Sequence, residues 1–176
     1  LSTTFAANGG DVLKMQLQPA EGYFVKQVTI NGEDVILKNG GLEISTPALD
    51  VNTNIAITFS NDVSSVATVT FLQEGFGAVN YGGETFEDGA TLTLVKGKSI
   101  TLEFVPSGDS NLQALKVNNT DVTADVISHV YVLNNVTANT MVSTTFFSPN
   151  MIAVENPNGG ELKEMIAAMG SSPATI

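Results

Sequence analysis

The sequence predicts an all-β protein: two tandem small antiparallel β domains, sandwich-like or β-grasp-like, followed by a short C-terminal helix. Three observations predict it. An internal repeat with a constant offset of 87 residues runs through the chain without a gap. Apolar and polar residues alternate with a period of two in the repeated segments. Asparagine and glycine stand together at the turns.

In the repeat, Gly10 falls on Gly97, Pro19 on Pro106, Asn31 on Asn118, Asp34-Val35 on Asp121-Val122, Asn52-Thr53 on Asn139-Thr140 and Thr58-Phe59 on Thr145-Phe146. Apolar positions keep the same register: Leu13 with Ile100, Met15 with Leu102, Leu17 with Phe104, Val28 with Leu115, Ile30 with Val117, Leu49 with Val136. What recurs is a core and its turns, with no reactive group among the matched positions. Two units of roughly 60 to 80 residues have thin cores. The chain has no cysteine, so strand pairing, packing and contact between copies must hold them.

The first strand spans Val12 to Gln18, where Leu13, Met15 and Leu17 face one way and Lys14, Gln16 and Gln18 the other. Its counterpart sets Ile100, Leu102 and Phe104 against Thr101 and Glu103, and Pro19 or Pro106 closes each version because proline cannot donate to a ladder. A hairpin follows, Val28 to Val35 and Leu115 to Val122, with Asn31-Gly32 and Asn118-Asn119 at its centre. A two-residue type I′ turn needs positive φ at both positions, which these residues tolerate. Two more strands per copy are expected, Leu42 to Ser45 and Asn54 to Phe59, then Val130 to Leu133 and Met141 to Phe147. The second copy also has a glycine-rich front end, Val66 to Leu72, Gly75 to Tyr81 and Ala90 to Val95. Leu1 corresponds to Asp88, so the chain is expected to start inside its first repeat. The expected divisions are 1–62, 63–148 and a linker with the start of a further module at 149–176. In the last, Leu162, Met165, Ile166 and Met169 form the apolar stripe of a short helix over 161–169, stopped by Gly170.

A formal net charge of −11, with scattered lysines, argues against nucleic acid and anionic lipid as partners. No apolar run approaches the ~20 residues of a membrane span, so membrane insertion of this segment is not expected. Residues 1–10 lack the charged and apolar regions of a signal peptide, while a start at Leu1 is compatible with a removed one.

Few residues suggest chemistry. The one histidine, His129, adjoins Ser128, and on a strand neighbours face opposite ways, so they cannot form a nucleophile and base. Ser107-Gly108-Asp109-Ser110-Asn111 has the Gly-Asp-Ser of a lipase family, but Ser110 maps onto Tyr23 and no helix pattern follows to seat an oxyanion hole. The acidic turns Glu33-Asp34 and Asp121, and the group Glu84, Glu87, Asp88, either collect calcium or cap turns in solvent; no segment reads as a calcium loop. No catalytic residue, metal ligand or cofactor is therefore assigned. Phe76, Tyr81 and Phe86, in the front end of the second copy, are the candidate ligand-binding residues. They either stack on a sugar or anchor a partner, or they fill the core; Tyr81, beside Gly82-Gly83, is best placed for exposure.

The ordered series Val69-Thr-Phe, Gly75, Gly77, Val79, Tyr81-Gly-Gly, Asp88-Gly89, Lys96-Gly97, Pro106, Val117-Asn118, Asp121-Val122-Thr123, Tyr131 and Val142 to Phe146 resembles divergent internalin B-repeat-like bacterial modules. It covers the second copy fully and the first from its middle onward, with Ile44 in place of Tyr131. The tail from Ile152 to Ile166, then Ala174-Thr-Ile, looks like the start of a leucine-rich-repeat region in BspA-like surface proteins of Bacteroidetes. The resemblance implies a secreted protein, or one on the outer surface of a Gram-negative bacterium, in which such modules act as stalk or adhesion units. Their partners would be other modules of the same polypeptide, and a host matrix protein or glycan. Two functions follow as expectations: a non-catalytic spacer or adhesion module, or a carbohydrate-binding module attached to a larger enzyme.

Overall fold

The computed structural model describes residues 4, 6–49 and 52–148. The helix expected over 161–169, and the linker and further module at 149–176, lie outside the described residues. The rest is all-β, as the alternation requires. The first copy holds β1 (Lys14–Gln16), β2 (Phe24–Ile30), β3 (Glu33–Asp34), β4 (Leu37–Lys38), β5 (Glu43–Ser45) and β6 (Ile55–Ser60). The second holds β7 (Val66–Glu74), β8 (Gly77–Tyr81), β9 (Glu84–Phe86), β10 (Thr91–Val95), β11 (Lys98–Pro106), β12 (Asn111–Val117), β13 (Thr120–Asp121), β14 (Val130–Val136) and β15 (Thr140–Phe147).

The two copies share one register. Met15 pairs with Ile44 as Leu102 pairs with Tyr131, and Val28 pairs with Ile57 as Leu115 pairs with Thr144. Even the irregularity recurs, between Val25 and Gln27 in β2 and between Leu112 and Ala114 in β12. Since a one-residue slip would turn every core side chain to solvent, apolar alternation holds this register in both. The turns repeat too: Asn31, Gly32, Asn118 and Asn119 all have positive φ, at 52°, 88°, 49° and 66°.

In the second copy two sheets meet over one core. One has the order β13-β12-β15-β7-β10-β4, the other β14-β11-β8-β9. Val69, Phe71 and Leu115 from the first pack with Val79, Leu102 and Phe104 from the second. Each such side chain, removed from water, contributes about 1.5–3 kcal/mol. Along β15 alternate residues, Thr140, Val142, Thr144 and Phe146, are buried. The pairings are antiparallel except β15 with β7, which is parallel, Val142 opposite Phe71. Parallel neighbours need a long crossover, and here most of the second copy lies between the two strands.

The first copy is simpler. β3-β2-β6 and β1-β5 enclose a smaller core of Leu17, Val25, Val28, Leu37 and Ile44. It has no counterpart of β7 to β10 among the described residues. The short β4 leaves its own copy and pairs with β10, Leu37 opposite Thr93 and Lys38 opposite Leu92. The six-stranded sheet therefore runs across both copies.

Candidate interaction surface at the junction of the two copies

The repeat fails at 36–39, and the junction is built there. In the first copy the residues are Ile36-Leu37-Lys38-Asn39; in the second they are Thr123-Ala124-Asp125-Val126. Thr123 donates its backbone N–H and its hydroxyl to Asp121 Oδ1 at 2.9 and 2.7 Å, and its Oγ1 accepts the N–H of Leu115 at 2.8 Å. That local bonding turns the segment into a 3-10 turn, Thr123–Asp125. Without the threonine, Leu37 and Lys38 stay extended and reach β10.

Several contacts fasten the extended form. Asn39, at φ 50°, donates its N–H to the Thr91 carbonyl at 2.8 Å and accepts the Thr91 N–H on Oδ1 at 3.0 Å. Lys38 Nζ lies 2.7 Å from Glu87 Oε2, donates to the Thr85 carbonyl, and stands 5.6 Å from the centre of the Phe86 ring. The hydrogen bond from Lys38 holds the Glu87 carboxyl below its ordinary range. Lys98 pairs with Asp34 across the same seam, and Asp34 also accepts from Gln27 Nε2. Ile36 lies where a Cβ on Gly82 would be, 2.5 Å from its Cδ1, so the glycine lets the β8–β9 turn close over it.

The three aromatics do not form an exposed platform. Phe86 is 0% exposed and its ring lies 4.6 Å from that of Phe71, so it fills the core beneath Lys38. Tyr81 is half-buried, packs against the same core, and borders a cleft of about 40 Å³ between the copies, space for a water and no larger ligand. Phe76 is half-buried at the turn from β7 to β8. A wider polar groove of about 800 Å³ opens beside the junction, lined by Gln16, Glu43 and Ser45 of the first copy, Gly82 and Glu84 of the second, and Lys38 between them. None of the three aromatics lines it.

The remaining candidates are separate. Ser128 and His129 have φ of 52° and 63°, so they form the turn before β14 and not a strand. Both are exposed, and His129 contributes its carbonyl to Phe104 N–H at 2.8 Å. Ser110 is buried in the turn it closes with the Ser107 carbonyl, and its hydroxyl lacks a protein partner. Asp88 accepts the N–H of Gln73 at 2.8 Å, and Asp121 is held below its ordinary pKa by the Thr123 hydrogen bonds. These carboxylates thus satisfy turns. Among the described residues no group of three or more His, Cys, Asp or Glu is placed to hold a metal ion, and no helix is long and apolar enough to cross a membrane.

Comparison of the chain with protein-family models, with curated proteins and with solved structures finds no match.

Lys38, Asn39 and Ile36 were not singled out by pattern reading. The signal was their divergence from the second copy: four consecutive positions change chemistry where the flanking Asp-Val is kept.

Proposed function

We propose that the chain is a non-catalytic repeat unit of a secreted or cell-surface bacterial protein, acting as spacer or adhesion module. One observation carries the reading: a strand of the first copy is built into the sheet of the second. A ladder, an asparagine clamp and a charged anchor fix the copies to each other, which is what a unit that must hold a distance or present a surface needs. The resemblance to internalin B-repeat-like modules supports the same reading, and so does the use of acidic side chains at turns. Other modules of the same polypeptide are its first partners in this view, with a host matrix protein or glycan at an exposed face.

The competing reading, a carbohydrate-binding module, needs an open aromatic surface for sugar stacking. Burial of Phe86 and half-burial of Tyr81 and Phe76 favour the spacer. Screening the purified chain against polysaccharides, a glycan array and matrix proteins tests both. Binding to a matrix protein selects adhesion, and a clean screen leaves the spacer. Turnover of a polysaccharide, lost on changing one carboxylate, would overturn the non-catalytic reading.

A further inference from the structure

Glycine follows asparagine at four places, 8–9, 31–32, 39–40 and 158–159, the last outside the described residues. The pair is reactive. With no side chain beside it, the glycine backbone nitrogen can attack the asparagine Cγ, closing a five-membered succinimide as ammonia leaves with the glycine N–H proton. Water then opens the ring, and no other reagent is consumed. Opening at the Cγ carbonyl leaves aspartate; opening at the backbone carbonyl leaves isoaspartate, in which the main chain runs through Cβ and Cγ.

Asn39-Gly40 stands at the junction, and both residues are exposed. Their φ of 50° and 88°, with Gly41 N–H donating to the Lys38 carbonyl at 3.0 Å, make a two-residue type I′ turn. Nothing lies within 4 Å of where a Cβ on Gly40 would stand, so the attacking side is open. The succinimide needs Cγ in one plane with the Asn39 backbone carbonyl and the Gly40 nitrogen, and a type I′ turn holds it out of that plane. The turn and its two bonds to Thr91 must therefore open first. How often they do depends on the ladder behind them. Only two pairs back Asn39, Leu37 with Thr93 and Lys38 with Leu92, whereas six pairs of β2 with β6 back the clamp of Asn31 on Asn54. Asn118 has the same clamp, on Met141, but Asn119 follows it and puts a side chain beside the attacking nitrogen.

We propose that Asn39-Gly40 is a self-modifying site, at which conversion to isoaspartate frees β4 from β10 and loosens the junction of the two copies. Isoaspartate lengthens the turn by one backbone atom, so neither the bond from Gly41 to Lys38 nor the paired bonds to Thr91 still fit. Aspartate keeps the acceptor oxygen and lets the clamp close again. The two products thus act oppositely on the same contact. The inference goes beyond the spacer reading and does not depend on it.

The test ages the full chain in mildly alkaline buffer and maps each asparagine by proteolysis and mass spectrometry with electron-transfer fragmentation, which separates aspartate from isoaspartate. Asn39 should convert about threefold or more faster than Asn31, and faster still than Asn118. Asn8-Gly9, outside every strand, gives the rate without a clamp. Lys38→Ala removes the anchor on Glu87 and should speed Asn39 by about twofold while leaving Asn31 unmoved. Amide exchange then reads the junction. The isoaspartate form, isolated by ion exchange, should lose protection at the Thr91 N–H, and Asn39→Asp should keep it. Conversion of Asn39 no faster than of Asn31, or a rate indifferent to Lys38→Ala, would overturn the proposal. An isoaspartate form with Thr91 still protected would overturn it as well. Equal loss of protection in Asn39→Asp would assign the effect to charge, and would also overturn it.

Discussion

Asn39 holds Thr91 by two hydrogen bonds, its backbone N–H to the threonine carbonyl at 2.8 Å and its Oδ1 from the threonine N–H at 3.0 Å. The same two-bond clamp joins Asn31 to Asn54 and Asn118 to Met141, each asparagine at φ near 50°. Asparagine suits the place because it tolerates the left-handed region and its short amide reaches the neighbouring strand. The first two lie within or between strands of the first copy and its partner sheet, so the junction uses the same device as the hairpins.

Asn39→Ala should cost about 1–2 kcal/mol, from an unpaired Thr91 N–H and strain at positive φ. Asn39→Gly should cost less, since only the side-chain bond is lost. Amide exchange at Thr91, with chemical denaturation of both variants, checks the order; equal costs would show that φ contributes nothing.

Gly75→Ala should be among the most damaging single changes. Gly75 sits at φ 82° and a Cβ there would overlap the Phe146 carbonyl, so a loss of about 3 kcal/mol or more is expected. Gly83, at φ 85° with open space around its Cβ position, should show only the strain component on the same change, about 1 kcal/mol. Urea midpoints of the two variants make the comparison.

The Lys38–Glu87 pair gives a pH signature. Because the folded carboxyl is held below its ordinary value by the Lys38 hydrogen bond, its contribution is present above the unfolded pKa and is lost as pH falls through the folded one. Glu87 is largely exposed, so the contribution is small, about 0.5 kcal/mol, and weakens with salt. Thermal melts of the chain and of Glu87→Gln should differ at neutral pH and low salt, and converge below the carboxylate range. A gap that persists in acid would indicate a role for Glu87 other than its charge.

Tyr81→Ala separates a structural tyrosine from a sugar platform. Packed against the core beside the junction, it should lower stability by about 1–3 kcal/mol. An unchanged melting temperature with lost glycan binding would instead favour the carbohydrate reading.

Most of the strands were legible because apolar side chains there alternate against a core, as Ile100, Leu102 and Phe104 do, or because a turn demands particular residues, as Asn118-Asn119 does. β4 and β9 were not. Leu37–Lys38 and Glu84–Phe86 are too short for a period of two to emerge, and Leu37–Lys38 is extended only because β10 supplies the ladder. Ser128 and His129 misled for a related reason: nothing in two polar residues distinguishes a strand from a left-handed turn. Of the three candidate aromatics, their position in the front end was readable, but burial of Phe86 depends on β7 and Lys38 arriving from distant parts of the chain.

The pairing of β4 with β10 joins unlike surfaces, a two-residue tongue from one copy and a sheet margin from the next. Such a contact is heterologous and has polarity. Exchange of the two copies would set Thr123-Ala124-Asp125, already folded on Asp121, against a margin that the first copy does not show among the described residues. A series assembled through this contact therefore has a head and a tail, and it extends one way by adding copies in order.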